Sequence, residues 1–312
     1  MGVTRLGEKV LPHTLVQIVR GTGDMKTQNE TILTVFYNDD YINPSDIETR
    51  TKAKPIAELI EQGVVPGVRL ASPTMATREQ LLQVHSEAYV DQIWGKSGVL
   101  RGSILASTGG VLAAVNQSIN DGASGSLSSG LHHAKHNQYD GYCYVNGLAL
   151  AALHAIEYFS RQNVGILDLD AHCGGGTFEL VGNHPQVRLS DVSVVGYDTW
   201  SSSDPRHFIK IVKSPDQYLD EVKNSLKHLR GIDFLIYNAG MDPFEDGGGM
   251  RGITREILEE RERLVAQWCI DTQTPALFVL AGGYTSSKLD LEGLAKLHIP
   301  TIKEFQRILL SK

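Results

Sequence analysis

The stretch Val164–Gly176, VGILDLDAHCGGG, decides how the chain is read: an unbroken apolar run ends in two carboxylates and a histidine at alternate positions. Small and β-branched apolar residues without polar alternation describe a strand buried on both faces, as in a parallel sheet covered by helices. The glycines then end it. In open α/β sheets ligands sit at the carboxyl ends of strands, so Asp170 and His172 fall where a site belongs. Asp168, Asp170 and His172 share one face if the strand stays extended, because side chains alternate with a period of two. Carboxylate oxygen and imidazole nitrogen on one face suit a divalent metal. The competing reading of D-x-D-x-H alone is structural, with aspartates that cap a following turn and a histidine that is merely exposed.

Downstream of this stretch, Phe234–Tyr237 reads as a further buried strand ending in NAGMD, and Leu277–Leu280 as one ending in AGGYT. Three strands thus bring Asp170 with His172, Asp242 and Tyr284 to one edge of a sheet. Upstream, Leu148–Phe159 is an apolar, alanine-rich helix that sets a βαβ rhythm. Thr31–Tyr37 is a β-branched and aromatic first strand, and helical spacing follows over Lys54–Gln62 and Thr77–Trp94, with Thr77 and Gln80 as a capping box. Gly102–Asn120 reads as a closely packed core helix, and Asp121–Gly130 as a flexible Gly/Ser loop leading to the tandem histidines of LHHAK. Val192–Gly196 is a short strand candidate, and Gln217–Leu229 and Arg255–Cys269 are helices. The fold expected over residues 31–312 is a single α/β domain, with a central, mainly parallel sheet and helices on both faces. Residues 1–30 are polar and weakly patterned, an N-terminal arm or tail to which no function is assigned.

Composition narrows the function classes. The 312 residues carry a net charge of −7 and no block of five basic residues, so there is no electrostatic footprint for nucleic acid or an anionic membrane. An acidic surface suits a cationic substrate instead. Cys143, Cys173 and Cys269 are odd in number and widely spaced, which offers neither a disulfide framework nor a cysteine zinc site and fits a reducing cytoplasm. The N-terminus MGVTRLGEKVLPH lacks the apolar core of a signal peptide, and no apolar run reaches the ~18 residues of a membrane span. A soluble cytoplasmic protein is expected, with oligomeric state left open to a homo-oligomer.

As a set, Asp170, His172 and Asp242 supply three metal ligands, His132 and His133 supply proton-transfer groups, and Tyr284 supplies a hydroxyl donor. Three protein ligands leave a coordination position for water, whose pKa falls towards neutrality, while the ion polarises a carbonyl. A histidine beside that water takes its proton, and Tyr284, on a turn made pliable by Gly282 and Gly283, donates to the oxyanion of a tetrahedral intermediate. Asp168 stands two residues before a ligand, where it can orient His132. Taken singly, each piece has a bland counterpart: a surface His pair, a helix-capping Asp, an ordinary G-G-Y turn.

The segments SSGLHHAK (128 to 135), GYCYVNG (141 to 147), LDLDAHCGGG (167 to 176), NAGMDPF (238 to 244) and LAGGYT (280 to 285) occur in the order of a known family. In them the sequence resembles the histone deacetylase superfamily, which includes acetylpolyamine amidohydrolases and shares the arginase/deacetylase fold. Fainter similarity at Val35–Ile60 and around LLQVHSEAYV extends the resemblance to nearly everything from residue 31 onward. It implies that Asp170, His172 and Asp242 bind a catalytic zinc ion, that His132 and His133 are the histidine dyad, and that Tyr284 polarises the substrate carbonyl. It also implies a structural potassium ion at Asp168, Asp170 and His172, pairing of Asp168 with His132, and a substrate channel bordered by Gly141, Tyr142, Gly282 and Gly283.

The departures from the pattern are as specific as the matches. Typical members read D-x-D-x-H-H-G-D-G, whereas Cys173 and Gly175 stand here in place of the second histidine and the last aspartate. That aspartate supports the second histidine of the dyad, so His133 is expected to lack its carboxylate, with catalytic basicity moving to His132. The loop that contains F-P-G-T-G is absent after Val195, where the sequence runs GYDTWSSSDPRH, and the usual histidines and H-P-E near Asn38–Lys52 are missing. The expected activity is metal-dependent removal of an acetyl or related acyl group from an amine, by attack of metal-bound water on the amide carbon. An acetylpolyamine, another small molecule or an acyl-lysine would be the substrate; the alternative is a catalytically weak acyl-ligand binding or scaffold protein.

Overall fold

Eight short strands pair edge to edge in the computed structural model, which describes residues 31–44, 46–129 and 131–312; the arm expected over residues 1–30 lies outside them. The strands are β1 (Leu33–Phe36), β2 (Val68–Ala71), β3 (Ala123–Ser126), β4 (Val164–Asp168), β5 (Val187–Ser193), β6 (Phe208–Ile211), β7 (Phe234–Gly240) and β8 (Ala276–Ala281). They form one sheet in the order β2-β1-β3-β8-β7-β4-β5-β6, and every pairing is parallel. The expected α/β architecture is therefore the observed one. Because the strands are parallel and β8, β7 and β4 are adjacent, the chain leaves all three at the same edge, at Ala281, Gly240 and Asp168.

Alternation along the central strands divides the core. Leu235, Tyr237 and Ala239 of β7 and Phe278 and Leu280 of β8 belong to one apolar layer, while Phe234, Ile236, Leu277 and Val279 belong to the other. The first layer is closed by the helices Ala53–Glu61, Tyr218–His228, Arg255–Thr272 and Leu291–Leu310, the second by Glu87–Trp94, Gly98–Asp121 and Gly147–Phe159. Gly98–Asp121 is, among the described residues, the one helix long and apolar enough to cross a membrane, and most of it is buried against the sheet. The three cysteines are free and buried.

The expected Gly/Ser loop at Asp121–Gly130 is corrected by β3, a wholly buried strand of sequence ASGS between β1 and β8. It escapes strand patterning because its residues must be small: a Cβ on Gly125 would lie 2.1 Å from the ring of Phe278 on β8. The strand expected at Val192–Gly196 begins earlier, at Val187, since Arg188 and Asp191 interrupt the apolar run without interrupting the pairing. Thr77–Trp94 is two short helices, Arg78–Leu81 with the Thr77/Gln80 capping box and Glu87–Trp94 capped by Ser86. β2, β6 and the C-terminal helix were not anticipated.

Candidate active site

The strand carrying the motif stops at Asp168, and Asp170 and His172 lie in the bend beyond it, where His172 makes an isolated bridge to Val195. The shared face therefore comes from a turn rather than from continued extension. Asp168 is held by Asn238 of the neighbouring strand, whose Nδ2 donates to Oδ1 at 2.8 Å, and by its own turn through the Asp170 amide at 3.2 Å. Its Oδ2 accepts from His132 Nδ1 at 2.8 Å, the pairing the resemblance implies. Oδ1 thus accepts two hydrogen bonds and Oδ2 one.

The strand ends are pinned from behind by Arg261, which is wholly buried and paired with Glu262. Its Nη1 donates to Gly240 O at 2.6 Å and to Leu169 O at 3.3 Å, the backbone just ahead of Asp242 and Asp170. On the other side, buried Lys52 donates to the carbonyl oxygens of Ala281, at 2.9 Å, and of Gly282, fixing the turn that leads to Tyr284. Burial pulls the Lys52 amine down to about 7 against the opposing influence of Asp242 and Asp170. Gly282 has φ +32°, and a Cβ there would lie 2.1 Å from Asp242 Oδ1, so this turn closes onto the acidic side chains only with glycine.

Asp170, His172 and Asp242 present ligand atoms that all lie within 4.8 Å of one another. Asp242 Oδ1 accepts from the Ala171 amide at 3.0 Å, while the buried Oδ2 makes no hydrogen bond although His172 Nδ1 stands 3.0 Å away. Burial, followed by the neighbouring Asp170 carboxylate, raises Asp242 to about 6. An orphaned carboxylate oxygen beside an imidazole and a second carboxylate is a donor set that a divalent cation satisfies, so these residues fit the metal that the resemblance implies.

His132 and His133 sit in a turn held by Asn146, whose Nδ2 donates to the carbonyls of His132 and Ala134 at 3.2 and 3.1 Å. Their ring centroids are 3.9 Å apart. Burial opposes the charged form of His132, but Asp168 and Asp170 outweigh it and carry this imidazole up to about 10 before any metal charge is added. His133 moves the other way: burial first, then the neighbouring His132, keeps it below the usual histidine value. Tyr284 is raised by burial and by the Asp242 and Asp170 carboxylates, so it remains a protonated donor. His132, His133, Asp170, His172, Gly282 and Tyr284 line one small pocket, of about 20 Å³. Outside it opens a mouth of about 360 Å³ walled by Gly141, Tyr142, Val195, Tyr197 and Tyr284. Of the glycines expected at the channel, Gly141 lines both spaces and Gly282 the inner one, whereas a Cβ on Gly283 would point at Leu294 and Met241.

The expectation that His133 lacks a carboxylate is overturned. Asp198 Oδ2 lies 2.9 Å from His133 Nδ1, supplied by the loop after β5 rather than by the segment following the metal-ligand motif. The reason is steric as well as chemical: a Cβ on Gly175 would fall 2.3 Å from the Asp198 carbonyl oxygen and 2.4 Å from Oδ1, so Asp198 fills the space a residue-175 side chain would take. With a carboxylate on each imidazole, basicity need not move to His132.

A model of the histone deacetylase domain matches residues 46–198. Histone deacetylase 2 of Arabidopsis thaliana is 23% identical over 258 residues, 73% of this chain and 67% of that protein, and the fold superposes on the crystal structure of the HDA15 HD domain with a TM-score of 0.71. Together these matches support the histone deacetylase superfamily for this chain. That structural match covers 89% of this chain and 90% of the other at 18% identity. Other similar proteins are an uncharacterized protein of Picosynechococcus sp., 27% identical over 82% of this chain and 94% of its own length, and a probable deacetylase of Archaeoglobus fulgidus, 28% identical over 49% of each. These similarities support a hydrolytic deacetylase.

Asp198, Asn238, Asn146, Lys52 and Arg261 were missed by the sequence reading. Asp198 lies in GYDTWSSSDPRH, a segment distinctive only for what it lacks, and its contact to His133 spans 65 positions. Asn238 opens NAGMD and carried a signal, since an amide on the strand beside Asp168 is placed to hold it.

Proposed function

We propose that the protein is a metal-dependent amidohydrolase that removes an acetyl or related acyl group from an amine. The observation that carries this is a pocket behind an open mouth lined by His132, His133, Asp170, His172 and Tyr284, where Asp170 and His172 also cluster with Asp242. Asp170, His172 and Asp242 would hold the ion, zinc by their mixed oxygen and nitrogen donors; bound there, it polarises a carbonyl and makes water acidic near neutral pH. His133, kept neutral, accepts the proton of the attacking water and returns it to the departing amine. His132, held cationic by Asp168, contributes positive charge where the oxyanion develops, and the Tyr284 hydroxyl donates a hydrogen bond to it. The Gly282 turn, tied down by Lys52, sets the reach of that hydroxyl.

The alternative, a catalytically weak ligand-binding protein, is motivated by Gly175 and the shortened loop after Val195; against the first ground stands Asp198, which offers His133 a carboxylate from that same loop. Relatives are named histone deacetylases and probable deacetylases, and the acyl-amine substrate proposed here spans acetylpolyamines, other small molecules and acyl-lysine. The test is to load the protein with zinc, incubate it with a panel of acylated polyamines, small amines and acyl-lysine peptides, including longer acyl chains, and follow free amine. Turnover on one class supports the reading; tight binding across the panel without release of amine overturns it.

A further inference from the structure

We propose that Asp198 is the positioning residue of His133, so that the carboxylate supporting the base has been relocated onto the loop that also walls the mouth. The inference rests on the deacylase reading and adds to it a residue from a loop that the metal-site motif does not include. Both carboxylate oxygens are engaged. Oδ2 accepts from His133 Nδ1 at 2.9 Å and from the Gly176 amide at 3.0 Å, and Oδ1 meets Lys135 Nζ at 3.0 Å. Lys135 also reaches Asp140 Oδ2 at 3.4 Å, and Asp140 Oδ1 accepts from the Tyr197 hydroxyl at 2.5 Å. The ring of Tyr197 stands edge-on to His133, with centroids 5.1 Å apart, and to His172, at 5.9 Å.

Asp198 adopts φ +52°, a left-handed conformation that a non-glycine residue holds at some cost, and at this φ its side chain reaches His133, Gly176 and Lys135 together. Accepting from Nδ1–H fixes one tautomer of His133 and leaves Nε2 as the proton acceptor, the arrangement a general base needs. The adjacent residues Tyr197 and Asp198 therefore perform two tasks from one short loop: one ring shapes the entrance, and one carboxylate orients the base.

Asp198→Ala tests this in the zinc-loaded full chain by two independent measurements. The first is the ¹⁵N spectrum of His133, recorded without substrate: the Nδ1–H tautomer is expected to dominate in the wild type and to lose that dominance in the variant. An unchanged tautomer overturns the proposal whatever the enzyme does. The second is kinetics on the substrate class that turns over. Here kcat should fall at least about tenfold, and by no more than the roughly 10²- to 10⁴-fold that a general base contributes, with KM and metal content unchanged. In a His133→Ala background the same substitution should have no further effect, because Asp198 acts through that ring. A full additional loss in that background means a general structural role and overturns the assignment. Absence of turnover in the wild type counts against the deacylase reading alone, and the spectrum still decides the role of Asp198.

Discussion

Gly175→Ala is the smallest change that sets the observed arrangement against the family pattern. The added methyl carbon would stand 2.3 Å from the Asp198 carbonyl oxygen, 2.4 Å from Oδ1 and 2.6 Å from Cγ. Ordinary carbon contacts begin near 3.4 Å, so the loop must retreat by about 1 Å. The His133–Asp198 hydrogen bond, now 2.9 Å, then stretches beyond useful length. A misplacement of about 1 Å at a reacting group costs roughly 10² in rate, and overpacking of this kind costs about 1–3 kcal/mol of stability. The assay is kcat and KM on the substrate class identified by free-amine release, with metal content and Tm measured on the same samples. The expected result is a kcat about 10² lower, metal retained and KM little changed. A variant with wild-type kcat would show that the loop yields without disturbing His133, and the steric argument linking Gly175 to Asp198 would be refuted.

Asp170→Ala or Asp242→Ala should each abolish retention of zinc, read as metal per chain after dialysis; full occupancy in both variants would remove the proposed ligand set. Tyr284→Phe should keep the metal and slow turnover by roughly 10² to 10³, the usual cost of one oxyanion donor, and wild-type turnover would exclude the hydroxyl from the reaction. Asp191, buried beneath the site, is pushed up to about 7 by burial and by Asp168, while it accepts hydrogen bonds from the Gly174 amide, Ser193 and Trp200. Its folded pKa lies above the ordinary 3.8, so the stability it contributes is complete below that pH and is lost as pH rises through about 7. Asp191→Asn should flatten that decline in a Tm series from pH 4 to 8, and an unchanged pH dependence would contradict the shift.

What the sequence made legible follows from where the determining forces lie. The strands Val164–Asp168, Phe234–Gly240 and Ala276–Ala281 announce themselves by continuous apolar runs, because both faces of a parallel sheet are buried. Their polar endings place Asp170, His172, Asp242 and Tyr284 at one edge without further information. β3 could not be read in the same way: ASGS is buried because Phe278 leaves no room for larger residues, and that constraint belongs to the neighbouring strand. β6 is only half-buried at the sheet edge, so its composition carries little strand signal.

The dyad shows the same division at higher resolution. Asp168 stands on a strand just before Asp170 and His172, and its pairing with His132 could be foreseen from the motif alone. The support of His133 could not, since a motif records which residue occupies a position and not which distant residue occupies its space. Gly175 read by itself is a loss; with Asp198 in the volume that its side chain would have filled, the two positions together restore one carboxylate on one imidazole. A carboxylate carried by a mouth loop, unlike one fixed beside the metal-ligand motif, moves when that loop moves. Orientation of His133 is thereby tied to the wall of the mouth, through the adjacent residues Tyr197 and Asp198 and the Lys135–Asp140 bridge that clamps them.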